Sequence, residues 1–365
     1  MKKKITYIMF SAFAILSMAS CNKWLTPEPL FKEPENIHGE DYYAALRAYK
    51  SSEHVKCFGW YSSWTAVGND MKNYLIGLPD SMDIVSHWLP VESYAQPLSE
   101  NQKKDLKAVQ EKGTKVLFCL FFKDLGFRMT PGLETAENSN PSETYKQLMR
   151  ETWGWYERSY DGSEAADEAI RKYARALKDY AIENGYDGID FDYEVNYGER
   201  GNLVENTTAL HVLLTELSKY MGPKSGSGLI LAVDGEPQTL AAESGPLLDY
   251  YIIQAYRCPG DSDLDRRFSG LFNKFSSVED EATVLKKLFW TEDFESIQDG
   301  RKDFTYRDGT QTPYSIEGMS RYYRDIDGQQ VKIGGFGAYR FDIIGSIDEY
   351  ALMRRMIQGV NPANN

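Results

Sequence analysis

Asp187-Gly188-Ile189-Asp190-Phe191-Asp192-Tyr193-Glu194 is the stretch that decides how this 365-residue chain is read. In an extended strand successive side chains point to opposite faces, so Asp190, Asp192 and Glu194 share one face and Ile189, Phe191 and Tyr193 the other. The apolar face suits packing against helices, which leaves the acids pointing into an enclosed interior. Desolvating like charges side by side costs on the order of several kcal/mol unless they share protons or find donors. A strand kept only for packing would carry Val or Ile there. Two plainer readings fit less well. An exposed amphipathic strand would rarely carry three acids and no Lys, Thr or Ser. A calcium loop of the EF-hand kind needs a glycine at its sixth position and a distant Glu, whereas Phe191 and Tyr193 interrupt the acids here.

Working outward, short β-rich runs alternate with helical patterns. The runs before the ladder are Cys57-Phe58-Gly59-Trp60, Ile84 to Trp88 and Val116 to Phe121. After it come Leu229 to Val233, Tyr250 to Tyr256, Leu288 to Thr291 and Lys332 to Gly337. Between them Ile170, Tyr173, Ala174, Leu177 and Ala181 recur at helical spacing, with Gly185 placed to end the helix. Leu210, Leu213, Leu214 and Leu217 form another such stripe, stopped by Gly222. Ser346-Ile347-Asp348-Glu349 has the spacing of a capping box that opens a last helix ending near Gly359. The alternation predicts an α/β fold, a (β/α)8 TIM barrel in a single domain over residues 54–365, with an open doubly wound sheet as competitor. Neither a Gly-x-Gly-x-x-Gly nor a Gly-x-x-x-x-Gly-Lys phosphate loop is present.

The N-terminus has a different character. Met1-Lys2-Lys3-Lys4, an apolar run from Ile5 to Met18 and the small pair Ala19-Ser20 lead directly to Cys21, the pattern of a bacterial lipoprotein signal over residues 1–20. Its apolar core is short for a bilayer span. An ordinary cleaved signal with an incidental cysteine is the alternative. Residues 21–53 read as a tether and lead-in, polar and carrying Pro27, Pro29 and Pro34. The expected location is exported and anchored to the lipid bilayer through lipidated Cys21, in the outer membrane with the leaflet open.

The formal net charge is −13 even with the three signal lysines counted, a surface that repels phosphate backbones and argues against nucleic-acid partners. Cys57, Cys119 and Cys258 form an odd set with no Cys-x-x-Cys pair, and the four histidines show no ligand spacing. No disulfide framework, metal or cofactor is expected.

The ladder fills every position of an Asp-x-x-Asp-x-Asp-x-Glu signature and resembles glycoside hydrolase family 18, which contains chitinases and endo-β-N-acetylglucosaminidases. The resemblance implies substrate-assisted retaining hydrolysis, one of the exceptions to the two-carboxylate scheme. It gives Glu194 the role of general acid and then base, Asp192 that of orienting the substrate's 2-acetamido group, and Asp190 a supporting place behind it. Asp187 and Gly188 would hold the start of the strand. Gln254-Ala255-Tyr256 puts an amide and a phenol on one face of the sixth strand, where both can hold the acetamido oxygen. That pair resembles the endo-β-N-acetylglucosaminidases, whereas chitinases typically present Met-x-Tyr-Asp. A tyrosine-rich core strand is the plain alternative. Glu292 to Val331 is too short for the extra domain that deep-cleft chitinases insert. Trp60, Trp88, Trp290 and Tyr339 are the further expected sugar-binding residues, and Trp153, Trp155, Tyr156 and Tyr160 in the long connection after the third strand either stack on sugars or pack that loop. The partner implied is an oligosaccharide or glycoprotein bearing N-acetylglucosamine, cleaved within the chitobiose core of N-glycans. A chitinase, and a glycan-binding lipoprotein without turnover, are the alternatives.

Overall fold

A computed structural model describes residues 34–88, 96–131, 142–155, 157–196 and 201–362. The expected signal, Cys21 and the first part of the expected tether, residues 21–33, lie outside the described residues, as does Tyr156. Eight strands, β1 (Lys56–Tyr61), β2 (Ile84–His87), β3 (Lys115–Phe121), β4 (Gly188–Tyr193), β5 (Ile230–Gly235), β6 (Tyr250–Gln254), β7 (Leu288–Asp293) and β8 (Gly335–Tyr339), form a closed barrel. All eight pairings are parallel, and β8 returns to β1 through Lys56 opposite Gly335. This is the (β/α)8 barrel, and the open sheet is excluded by that closing pair.

A helix α1 (Glu40–Ser51) precedes the barrel inside the segment read as tether and lead-in. It is tied down by Arg47 donating to the Glu111 carbonyl at 2.7 Å and Lys50 donating to Thr114 Oγ1 at 2.7 Å. Then come α2 (Glu100–Glu111), α3 (Glu143–Trp153) and α4 (Glu164–Glu183) before β4, and α5 (Thr207–Leu217) after it. Helices α6 (Asp261–Phe275) and α7 (Glu281–Lys287) lead into β7, and α8 (Ser315–Ser320) lies between β7 and β8. Helices α9 (Phe341–Asp348) and α10 (Ala351–Val360) follow β8. The β1–β2 and β5–β6 crossings contain 3-10 turns in place of α-helices.

Both helical stripes read from the sequence are buried, Ile170, Tyr173, Ala174, Leu177 and Ala181 on α4 and the leucines on α5. They join the outer-face core with Phe118, Ile189, Phe191 and Val233. Each such large side chain contributes roughly 1.5–3 kcal/mol on leaving water. Gly185 and Gly222 lie beyond the helix ends at φ 79 and 85, the left-handed conformation that stops a helix.

Two boundaries differ from expectation. Lys332 pairs antiparallel with Tyr323 in a hairpin of Tyr323–Ile326 with Gln329–Lys332, so the eighth barrel strand begins only at Gly335. Ser346 does not open the last helix. It lies within α9 and donates to Asp70 Oδ1 at 2.5 Å, while Asp348 caps α10 by accepting from the Ala351 and Leu352 amides at 3.1 and 3.0 Å. Glu349 and Tyr350, left-handed at φ 50 and 64, make the break between α9 and α10 with no glycine to announce it.

The start of β4 is fixed from both sides. Asp187 accepts from the Val116 amide at 2.9 Å, Gln110 Nε2 at 2.8 Å and Lys115 Nζ at 2.9 Å, tying β4 to β3 and α2. Gly188 sits at φ 148 against β5, where an added Cβ would fall 2.0 Å from the Ile230 carbonyl oxygen. Gly188→Ala is expected to cost about 2–4 kcal/mol by clash and strain. Urea unfolding followed by tryptophan fluorescence measures it, and a loss below about 1 kcal/mol would show that β5 can move aside.

Candidate active site

Strand closure sorts the residues by parity. Phe58, Ile84, Leu117, Ile230, Ile252 and Phe289 belong to the apolar filling inside the barrel, distinct from the outer-face core. On β4, Asp190 and Asp192 continue on that inner side, with Glu194 just past the strand's carboxyl end, where barrel enzymes do their chemistry. Asp190 and Asp192 are fully buried, and so is Asp234, the Cα partner of Asp192 on β5.

Asp190 Oδ2 accepts from Trp60 Nε1 at 3.0 Å and from Ser86 Oγ at 2.6 Å. Asp192 has no donor to either oxygen among the described residues, and Asp234 accepts at Oδ1 from Gln254 Nε2 at 3.2 Å. Burial raises the pKa of all three. The charges of Glu194 and Asp190 add to it at Asp192, and those of Asp192, Asp190 and Glu194 at Asp234. With both ionised, Asp192 has no partner; with one protonated, Asp192 and Asp234 are joined by a carboxyl–carboxylate bond. Crowding and burial therefore favour sharing of protons among the three carboxyl groups.

Glu194 is half-buried. Burial raises its pKa, the Gln254 amide pulls it down, and the Glu236 charge raises it again. Gln254 thus serves both Asp234 and Glu194. Glu236 is held by Asn196, which donates its amide at 2.8 Å and its Nδ2 at 2.7 Å. The Tyr256 phenol is pushed well up by burial and then by Asp234, Asp192, Glu194 and Asp293, so it remains a hydrogen-bond donor.

Around these groups lies an aromatic rim. Tyr339 is 6.3 Å from Tyr256, 5.7 Å from Trp88 and 6.4 Å from Trp60, centroid to centroid. Two residues that directly follow rim phenols, Arg257 and Arg340, have left-handed backbones at φ 56 and 53, a conformation that costs a non-glycine residue about 1–3 kcal/mol and persists where surroundings enforce it. Buried Glu292 supports the first by accepting from the Arg257 amide at 2.7 Å and from Asp293 at 2.8 Å, with Ser315 donating to its other oxygen. Arg340 is held by Asp342 at 3.3 Å and Glu295 at 3.0 Å.

Of the residues expected at the site, Asp190, Asp192, Glu194, Gln254, Tyr256, Trp88 and Tyr339 converge, Asp187 and Gly188 hold the strand, and Trp60, expected to bind sugar, is instead enclosed in the barrel and supports Asp190 from within. Trp290 does not join them. Its position on β7 has outward parity, and it packs in the outer core with its ring 5.8 Å from Tyr322. Trp153 and Trp155 are also buried, the first donating to Thr130 Oγ1 at 2.9 Å and lying 5.2 Å from Tyr173, so they pack the loop rather than line the mouth. Sequence reasoning missed Ser86. Its signal is inward parity on β2, which acquires meaning only when the barrel register brings it to Asp190.

Among the described residues one group has metal-ligand proximity, Cys119, Asp190 and Asp234, with ligand atoms within 4.8 Å of one another. Burial and the three aspartates push the Cys119 thiol well up, which disfavours the thiolate a metal requires. Among the described residues the cysteines, Cys57, Cys119 and Cys258, are free and buried.

A parallel barrel with a proton-sharing carboxylate ladder, a half-buried acid at the strand end and an aromatic rim defines a carbohydrate-cleaving hydrolase. Residues 23–358 match the family model described as glycoside hydrolase family 18, BT1044-like, and the chain belongs to that family. The solved structure of BT1044, a selenomethionine form with a glutamate-to-glutamine change, is similar at 28% identity and TM-score 0.64 over 88% of this chain and 93% of that one. Endo-β-N-acetylglucosaminidase F2 of Elizabethkingia meningoseptica is 29% identical over 222 residues, 58% of this chain and 53% of that protein, so the chain spans about half the length of that curated relative. An endo-β-N-acetylglucosaminidase of Cordyceps militaris, in complex with fucosyl-N-acetylglucosamine-Asn, shares the fold at 19% identity and TM-score 0.57, over 90% of this chain and 98% of that one.

The buried acids make stability depend on pH in a definite sense. Their folded pKa values lie above the unfolded value of about 4, so the folded state binds more protons and stability falls as pH rises through that window. Asp234→Asn, which cannot ionise, is expected to gain stability relative to the parent at pH 7 and to gain little at pH 4. Thermal unfolding at both pH values reads the difference, and an equal shift at the two would contradict proton sharing.

Proposed function

We propose that this family 18 hydrolase is a retaining endo-β-N-acetylglucosaminidase that cleaves the β-1,4 bond in the chitobiose core of N-linked glycans. Glu194 protonates the glycosidic oxygen while the substrate's own acetamido oxygen attacks the anomeric carbon, breaking the bond to the leaving sugar and forming an oxazolinium ion. Water then adds to the same carbon as Glu194 takes its proton, and the acetamido group is released with configuration retained. Asp192, ionised while the shared proton rests on Asp234, accepts from the acetamido N–H and stabilises its developing positive charge. Gln254 and the Tyr256 phenol hold the acetamido oxygen.

The observation that carries this reading is the condition of Asp192. A retaining enzyme with a protein nucleophile needs a second carboxylate able to reach the anomeric carbon. Asp192 is fully enclosed with its pKa raised, and is suited to holding an amide rather than to attack. Gln254 and Tyr256 beside Glu194 favour the endoglycosidase over the chitinase. The Glu292–Val331 region supports the same choice: its described elements are short hairpins and α8, with no inserted domain of the kind that builds a deep cleft. On the sequence alone, the chain is further proposed to be exported and held at a membrane by lipidated Cys21.

Incubating the soluble form with a labelled N-glycoprotein and with chitin oligomers, and following product masses, tests the substrate. One N-acetylglucosamine left on the protein is the expected result; release from chitin oligomers alone identifies a chitinase, and tight binding with no product, unchanged in Glu194→Gln, a non-catalytic binder. Asp192→Asn should retain binding and lose most turnover, by roughly 10²-fold or more. Turnover near that of the parent would remove Asp192 from the mechanism. Glu236→Gln keeps an acceptor for Asn196 but removes the charge that raises the Glu194 pKa. The alkaline limb of the rate profile, where the acid loses its proton, should therefore move to lower pH; an unmoved or raised limb would show that Glu194 does not set it.

A further inference from the structure

Away from the ladder, Arg150 in the last turn of α3 is 6% exposed. Among the described residues its guanidinium has no hydrogen-bond or ion-pair partner, and its Nε is enclosed without an acceptor. It lines a cavity of about 370 Å³ together with Asp124, Glu143, Lys146, Arg158 and Asn202. The cavity lies on the mouth side of the barrel, since Asp124 follows closely on β3 and Asn202 belongs to the connection after Glu194.

Asn202 is the second unmet donor. Its Oδ1 accepts from the Leu125 amide at 2.9 Å, which fixes the orientation of the side-chain amide and leaves Nδ2 buried with no acceptor. Of the other charges on the wall, Lys146 lies 3.6 Å from Asp124 and Arg158 3.2 Å from Glu143, and Glu205 also has a partner. What Arg150 and Asn202 lack is therefore acceptors. A sugar hydroxyl brings a donor of its own, whereas a carboxylate or sulfate offers only acceptors and presents two oxygens to a guanidinium fork.

We propose that this cavity is a secondary glycan subsite that takes an anionic substituent, a carboxylate or a sulfate, on the outer part of the glycan whose core is cleaved at Glu194. The glycan rests on the function proposed above; the preference for an anion rests on Arg150 and Asn202 alone.

Three labelled N-glycopeptides identical except at the terminal sugar, one neutral, one bearing a carboxylate and one bearing a sulfate, separate the possibilities. At least one anionic glycopeptide is expected to show kcat/KM about tenfold above the neutral one. The one that does identifies the anion. Arg150→Gln should bring that ratio to about one. Asn202→Asp, which keeps the acceptor for Leu125 and adds a negative charge, should do the same if Arg150→Gln fails to fold. Equal kcat/KM for all three in the parent, or a ratio that survives both variants, overturns the proposal. If the parent cleaves none of them, the proposed function fails instead, and calorimetric titration with glucuronate, glucose 6-sulfate and glucose decides the subsite on its own. Binding of either anion that is lost in Arg150→Gln supports it; no anion binding, or binding equal to that of glucose, overturns it.

Discussion

Three carboxyl groups held in the dry interior of one ring of strands impose the conditions that the rest of the molecule meets. Charge cannot be left on all of them, so protons are shared between Asp192 and Asp234 across the β4–β5 pair, and the deepest acid is given two donors, Trp60 and Ser86, from β1 and β2. Each of those partners is supplied by a different strand. The arrangement therefore exists only in a closed barrel, where strands remote in sequence meet around one axis. Asp187 and Gly188 serve the same end by pinning the start of β4, so that the alternation reaches Glu194 in the right phase.

The polar gradient along β4 divides labour between groups of one chemical type. Asp190 is enclosed and doubly bonded, Asp192 is enclosed without a fixed donor, and Glu194 is half-open. Environment rather than residue type separates a support, an orienter and an acid. Gln254 joins the open end of this gradient to β5, because its amide serves both Asp234 and Glu194.

Much of this was legible in the sequence because strand parity is a strict rule. The ladder's inward face, the Gln254 and Tyr256 pair and the stripes on α4 and α5 follow from periods of two and 3.6 residues. What parity cannot supply is phase where no residue marks it. Trp290 was placed at the mouth by proximity to a strand end, and only pairing with its neighbours shows that it faces the helices. Ser86 acquires significance from cross-strand register, which a single strand does not encode. The break between α9 and α10 passes through Glu349 and Tyr350, residues without the glycine that usually signals a left-handed turn. Arg150 carries no sequence signal, because the enclosure of a charged side chain is decided by tertiary packing.

The left-handed turns at Arg257 and Arg340 bear on how binding free energy is partitioned. Tyr256 directly precedes a backbone whose amide Glu292 holds, and Tyr339 directly precedes an arginine whose guanidinium Asp342 holds, so both phenols are oriented by the turns that follow them as well as by neighbouring rings. An aromatic wall built in this way has surrendered its conformational freedom during folding. A glycan that stacks on it then encounters little remaining entropy cost on the protein's side, and more of each ring contact is expressed as affinity.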